Sequence, residues 1–395
     1  MPRPARCIEG ANGKHSPRTE LISVFLNRIK DAGTPAGDNN QVKHEIKKGR
    51  GATLQIEGRF ENVARERVDD GWGGAEEELP PFKTTVTVEH AKSVIQRHDS
   101  PDLPFDYSLN AYRGCEHGCI YCYARPSHGY MNLSPGLDFE SKLFAKPDAA
   151  KLLRAELAKP GYQCSPIALG ANTDPYQPIE REWQITRQIL EVLVSCKHPV
   201  SIITKSALVE RDFDLLAQLA RDNLVKVFVS ITTLDAELAR KMEPRATSPR
   251  RRLQAVRTLN EAGVPCGVMV APVIPFLTDS ELENVLQAAQ EHGARSAGYT
   301  LLRLPYEVKD LFKDWLTTHY PLKTEHVMSR MREMRNGKEN DANFGSRFSG
   351  QGLFAEFLAK RFKLACERLG LNREPVPLDT AKFIKPNLGG QGSLF

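Results

Sequence analysis

Residues 105–123, FDYSLNAYRGCEHGCIYCY, carry a short run with strand character into a loop holding three cysteines, Cys115, Cys119 and Cys122. The spacing Cys-x3-Cys-x2-Cys gathers three sulfurs around one small object, and Gly114 and Gly118 let the backbone bend tightly around it. Structural zinc is normally closed by four protein ligands, and an electron-transfer iron–sulfur cluster usually takes four cysteines. Three thiols leave one position open, so a four-iron cluster held here would keep one iron free for a second molecule. Two other readings of these residues stay open at this point: a zinc knuckle completed by His117 or His128, and buried cysteines without a ligand.

Outward from the loop the chain alternates regularly. Strand-like runs at 106–111, 166–172, 200–204, 225–232, 266–273 and 297–304 are separated by helical patterns at 182–196, 212–222, 249–262 and 279–292. Pro249 and Asp279 stand at helix starts, and Gly263 and Gly293 lie just past the ends. Repeated βα units predict an α/β fold, a partial (βα)6 TIM-like barrel, with a doubly wound open sheet as the competing architecture. Either arrangement gathers ligands at the carboxyl ends of the strands, where the cysteine loop begins.

Composition narrows the class further. A chain of 395 residues, 41% hydrophobic and 26% charged, is that of a globular protein, and no apolar run approaches the roughly 20 residues of a membrane span. The polar N-terminus shows no secretory segment, so the expected location is cytoplasmic, with reduced thiols. In that setting clustered cysteines point to metal or catalysis. Cys7, Cys164, Cys196, Cys266 and Cys366 are scattered and form no second cluster. The net charge of +5 permits nucleic-acid contact without requiring it.

Three regions are expected: a tail and linker over 1–82, partly disordered, a core over 83–304, and a C-terminal helical region over 305–395. The first contains an amphipathic helix at 19–32, a loop at 50–60 and a linker at 69–81. The last contains helices at 306–318, 325–335 and 353–369 that close the open side of the barrel. Its basic residues Arg330, Arg332, Arg335, Arg347, Lys360, Arg361 and Lys363 alternate with acids and read as a solvated face. The glycines of FGSRFSGQG, 344–352, offer an anion-binding turn.

Residues 113–130, RGCEHGCIYCYARPSHGY, with Tyr121 just before the third cysteine, resemble the radical S-adenosylmethionine superfamily. GANTDPYQPIE (170–180), TKSALVERD (204–212), VSITT (229–233) and MEPRATSPRRRLQAVRTLNEAGV (242–264) extend the resemblance to the branch containing spore photoproduct lyase, over roughly residues 84–304. The resemblance implies a [4Fe-4S] cluster on Cys115, Cys119 and Cys122. It also implies S-adenosylmethionine (SAM) chelated to the open iron, and one-electron cleavage to a 5′-deoxyadenosyl radical that abstracts hydrogen from substrate. It further implies a flavodoxin- or ferredoxin-type electron donor, a monomer, and nucleic acid as a substrate class.

Site roles carry over by position. Tyr121 and Tyr123 would line the adenosyl end of the cofactor. Thr173 and Asp174 would contact the methionyl amino group where the superfamily usually has Gly-Gly-Glu. Lys205 would pair with the methionyl carboxylate, Ser230 would lie near the ribose, and Arg245 would contact an anion. One departure stands out: the lyase has a cysteine just after its second strand, whereas residues 170–174 here read GANTD. Cys164 precedes that strand, at its wrong end, so Tyr176 or Tyr299 would have to supply the hydrogen. Modification of a protein or small metabolite is the alternative activity, and a zinc-stabilised binding module is the alternative without catalysis.

Overall fold

The computed structural model describes residues 50–54, 56, 59–60, 83–373 and 376–387; the expected helix at 19–32 and linker at 69–81 lie outside them. The described strands are β1 (Thr85–Val88), β2 (Ile95–Arg97), β3 (Tyr107–Leu109), β4 (Tyr112–Arg113), β5 (Lys142–Ala145), β6 (Ile167–Leu169), β7 (Val200–Thr204), β8 (Val225–Ser230), β9 (Cys266–Val273) and β10 (Ala297–Leu301). One sheet runs β10-β9-β8-β7-β6-β3-β2 and a smaller one β1-β5-β4. From β3 to β10 the large sheet is parallel, and β2 lies antiparallel outside β3. Its central strands, VSIIT, VKVFVS and CGVMVAPV, are rich in β-branched residues, as strands covered on both faces must be. Parallel order follows chain order without reversal, whereas a doubly wound sheet reverses at a switch point. No ladder among the described residues closes the sheet on itself.

The helices are α1 (Leu137–Ser141), α2 (Ala149–Leu157), α3 (Glu180–Trp183), α4 (Ile185–Ser195), α5 (Phe213–Arg221), α6 (Ala236–Met242), α7 (Pro249–Glu261), α8 (Leu282–Glu291), α9 (Val308–His319), α10 (Thr324–Glu333) and α11 (Gly352–Leu369). Helices α4, α5, α7 and α8 are the expected crossovers. In α7, Pro249 occupies the first turn and Leu253, Val256 and Leu259 are buried toward the sheet, each stabilising the fold by about 1.5–3 kcal/mol before entropy. None of the described helices is long and apolar enough to cross a membrane.

Several details differ from the sequence reading. The first parallel strand stops at Leu109 instead of running into the cysteine loop. Asn110 turns the chain there, its Oδ1 accepting the Asn172 and Thr173 amides, and Tyr112 and Arg113 join the second sheet. Residues 50–53, expected as loop and linker, have no regular structure yet are buried. Arg335, assigned to a solvated face, is buried and donates to the carbonyls of Leu302, Ser346 and Arg347. The anion-binding turn at 344–352 is filled from within: the Gly345 amide and the Arg347 guanidinium bind the Asp102 carboxylate. Beyond Leu369 the chain leaves the helix through Gly370 at φ +69, and residues 376–387 form an irregular segment with a turn at 381–382, the Ile384 amide donating to Cys196 and the Asp379 amide to Asn223.

The same 341–350 loop spans the gap between the first and last parallel strands. Leu301 of β10 donates its amide to Phe348, while Arg347 reaches Asp102 just ahead of β3 with bonds of 2.6 and 2.8 Å.

Candidate functional site

The cysteine loop is shaped by groups that fix its backbone. Gly118 has φ +67, and a Cβ there would lie 2.7 Å from Glu140 Oε2. Fully buried Arg125 donates to the carbonyls of Cys119, Gly118, Pro135 and Gly136 at 2.9–3.1 Å and pairs with Glu140 at 2.5 Å. Glu140 in turn accepts the amides of Gly51 and Ala52 at 2.9 and 2.8 Å. Gly51 lies so close to the loop that a Cβ there would stand 1.8 Å from the Gly118 carbonyl oxygen.

Cys115, Cys119 and Cys122 are all free thiols, the first two buried and the third partly so. Burial pushes all three upward, Cys119 to about 12, and at Cys115 the Asp174 carboxylate and then the other two thiols add to the effect. Opposing it, the Asp174 amide donates to Cys115, and Lys205 lowers both Cys119 and Cys122. A soft donor set of three thiols with an amide and an ammonium beside it fits an anionic iron–sulfur group with one position left open. The histidines that would close a zinc knuckle are engaged elsewhere. His117 Nδ1 lies 3.4 Å from Asp174, and His128 donates Nε2–H to the Lys142 carbonyl with its ring edge-on to Phe139. Among the described residues no three His, Cys, Asp or Glu side chains converge on one ion-sized point.

Beside the thiols lies a buried polar network. Lys205, just past β7, sits 5.7 Å over the Tyr121 ring. The Tyr121 hydroxyl bonds Glu243, which also accepts from Thr232 at 2.7 Å and pairs with Arg252. Arg252 continues to the Ser230 and Thr247 carbonyls. Burial opposes charge on Glu243, but Arg252 and Lys205 outweigh it and hold the carboxyl at about 2. Asp174 likewise stays ionised, at about 2, against its burial: His117 and the donors Lys205 N, Thr204 Oγ1 and Tyr176 N surround it.

The fold therefore brings Tyr121, Lys205 and Asp174 beside the three cysteines, while Ser230, at the end of β8, has its carbonyl on Arg252. The Asp174 carboxylate accepts from Thr204 and Lys205 at the end of β7 and meets His117 of the cysteine loop, and the Thr173 hydroxyl donates to the Tyr112 carbonyl of β4, just ahead of that loop. Arg245, expected as an anion contact, is paired with Glu116 at 2.8 Å. Tyr123 turns outward, its hydroxyl on the Ala171 carbonyl. Tyr176 is fully buried, and Tyr299 is partly buried against Phe362 of α11. Sequence reasoning missed Arg125, Glu140, Glu243 and Arg252. Arg252 lies in a PRRR run that reads as a surface.

A parallel sheet in chain order, with a three-thiol loop following its first parallel strand, defines an α/β fold with a candidate cofactor site at the carboxyl end of its strands. Residues 109–289 match the radical SAM superfamily model. An uncharacterized protein of Mycobacterium tuberculosis is 39% identical over 289 residues, 72% of this chain and 81% of the relative. One of Methanocaldococcus jannaschii is 31% identical over 175 residues, 44% of this chain and 63% of the relative. Spore photoproduct lyase complexed with dinucleoside spore photoproduct superposes with a TM-score of 0.53 at 16% identity, covering 72% of this chain and 80% of that one. A double mutant of the lyase with AdoMet and the same dinucleoside bound gives 0.54 at 17%, covering 75% and 84%. At these identities the likeness is one of fold. The chain belongs to the radical SAM superfamily, which implies an enzyme using SAM and an iron–sulfur cluster.

Proposed function

We propose that this chain holds a [4Fe-4S] cluster through Cys115, Cys119 and Cys122, cleaves SAM there reductively, and acts on nucleic acid. The observation that carries the reading is three free thiols on one loop, beside the partly buried ammonium of Lys205. When bound, the cluster and SAM together supply a 5′-deoxyadenosyl radical for hydrogen abstraction. Lys205, ionised beside Glu243 and aimed across Tyr121, suits a carboxylate such as the methionyl one. Ser230 stands at the end of β8 for the ribose, and Tyr121 is held rigid by Glu243. Chain-order strands support a partial (βα)6 barrel whose carboxyl end is the reaction chamber. A flavodoxin- or ferredoxin-type protein is the proposed reductant, and the chain is proposed to act as a monomer.

Nucleic acid is favoured by the fold's likeness to the dinucleoside-bound lyase, although no thiol follows β6 to return hydrogen as in that enzyme. Anaerobic reconstitution followed by dithionite and SAM tests the chemistry. The expected result is 5′-deoxyadenosine from the wild type and only background from Cys119→Ala; equal yields from both would refute it.

A further inference from the structure

Where the cysteine loop, the segment after β10 and the 341–350 loop meet, cations and aromatic rings alternate. The Arg303 guanidinium lies between Tyr123 and Phe348, 5.9 and 4.8 Å from their ring centroids. Arg347 lies between Phe348 and Phe344, at 4.8 and 4.9 Å. The result is a continuous ladder of Tyr123, Arg303, Phe348, Arg347 and Phe344. Its inner rung follows Cys122 directly in sequence, and its end rings are solvent-exposed, Tyr123 by 48% and Phe344 by 59%.

The two arginines differ in one respect. Arg347 is neutralised by Asp102. Arg303 has no carboxylate or carbonyl partner among the described residues, and its Nε is buried without a hydrogen bond. A partly buried cation left in that state is unfavourable until an anion reaches it. Burial and the neighbouring Arg347 lower its proton affinity, and Tyr123 with the Asp102 and Asp341 carboxylates, near but not bonded to it, offset this only in part. Aromatic faces alternating with guanidinium groups match unpaired nucleotides, whose bases stack on rings while their phosphates meet cations. A duplex keeps its bases stacked on each other, and an acidic protein would have no use for the rings.

We propose that this ladder is a track leading single-stranded nucleic acid to the cysteine loop, with Arg303 binding a phosphate and Phe344 and Tyr123 stacking bases. The proposal rests on the nucleic-acid reading above and adds the strand state, the route and the phosphate-binding residue.

Fluorescence anisotropy on the full chain, without SAM or reductant, tests it. The probes are labelled single-stranded DNA and RNA of about 12 nucleotides and a matching duplex, titrated from about 25 to 200 mM salt. The wild type should prefer the single strands. Arg303→Gln should bind about tenfold more weakly and reduce the log–log salt slope by about 0.7, the value for one single-strand phosphate contact. Phe344→Ala should weaken binding about fivefold or more with the slope unchanged, the signature of lost stacking. Circular dichroism melts check that both variants are folded.

Wild-type protein that binds no oligonucleotide at low salt overturns both the track and the nucleic-acid substrate, leaving SAM cleavage untouched. Wild-type binding unaltered in both variants overturns the track alone. Equal affinity for duplex overturns the single-strand assignment. Displacement by polyglutamate as effective as by unlabelled oligonucleotide overturns base stacking.

Discussion

Arg125 and Glu140 are each fully buried, and each would be an uncompensated charge without the other. Arg125→Ala leaves Glu140 with main-chain amides alone and frees four loop carbonyls. A loss of about 3–5 kcal/mol in unfolding free energy is expected, as for other broken buried pairs. Iron and sulfide in anaerobically purified protein should fall with it; full loading at unchanged stability would contradict this role. His198 gives a pH dependence that can be assigned to one ring. Its Nδ1 donates to the Pro199 carbonyl, and its Nε2 lies 2.7 Å from the Tyr162 hydroxyl. Burial lowers its pKa to about 4. An unfolded histidine binds its proton near 6.5, so the unfolded chain carries the extra proton below that pH. Stability then falls as pH drops from about 6.5 toward 4, by about 2 kcal/mol at pH 5. Urea unfolding at pH 7 and pH 5 should show a smaller drop for His198→Gln than for the wild type; equal drops would remove His198 from the account.

Residues 50–53 form no helix or strand yet act as one wall of the cysteine loop. Gly51→Ala has no room beside the Gly118 carbonyl, so the segment must lift, at a cost of about 1–3 kcal/mol. Hydrogen exchange across residues 115–122 should accelerate; an unchanged loop would show that the wall is dispensable. What sequence revealed at this scale follows from what is local. The three cysteines, Tyr121 and Lys205 were legible because motif and strand-end position lie within a few residues. The crossovers α4, α5, α7 and α8 were legible because their periodicity extends over two or more turns. Strands of two to four residues such as β1, β2, β4 and β5 contain too few positions to show a pattern. The burial of Gly51 is decided by Glu140, 89 positions away, and the pairing of Glu243 with Arg252 needs two elements packed together. Neither interaction has a local signature.

For the whole molecule, the bond from Arg347 to Asp102 joins the two ends of the parallel run. Asp102→Asn removes the charge and half of the bidentate grip. Hydrogen exchange in residues 341–350 should quicken while β7 and β8 keep their protection; uniform protection across the chain would mean that the loop is held by other contacts. The ladder hangs from this same loop, so the variant also tests whether the track keeps its order.

An open sheet has two lateral edges, and each exposes main-chain donors and acceptors to which another chain can pair. Here β2 is only three residues long, and Glu156 takes the amides of Val94 and Ile95 at its start. On the far side, Asn372 bonds both main-chain groups of Ala297 and Phe348 takes the amide of Leu301. Phe348, in the loop that spans the gap in the sheet, thus also helps to cap one of its margins. Little main chain is thereby left on either flank for a further strand to pair with.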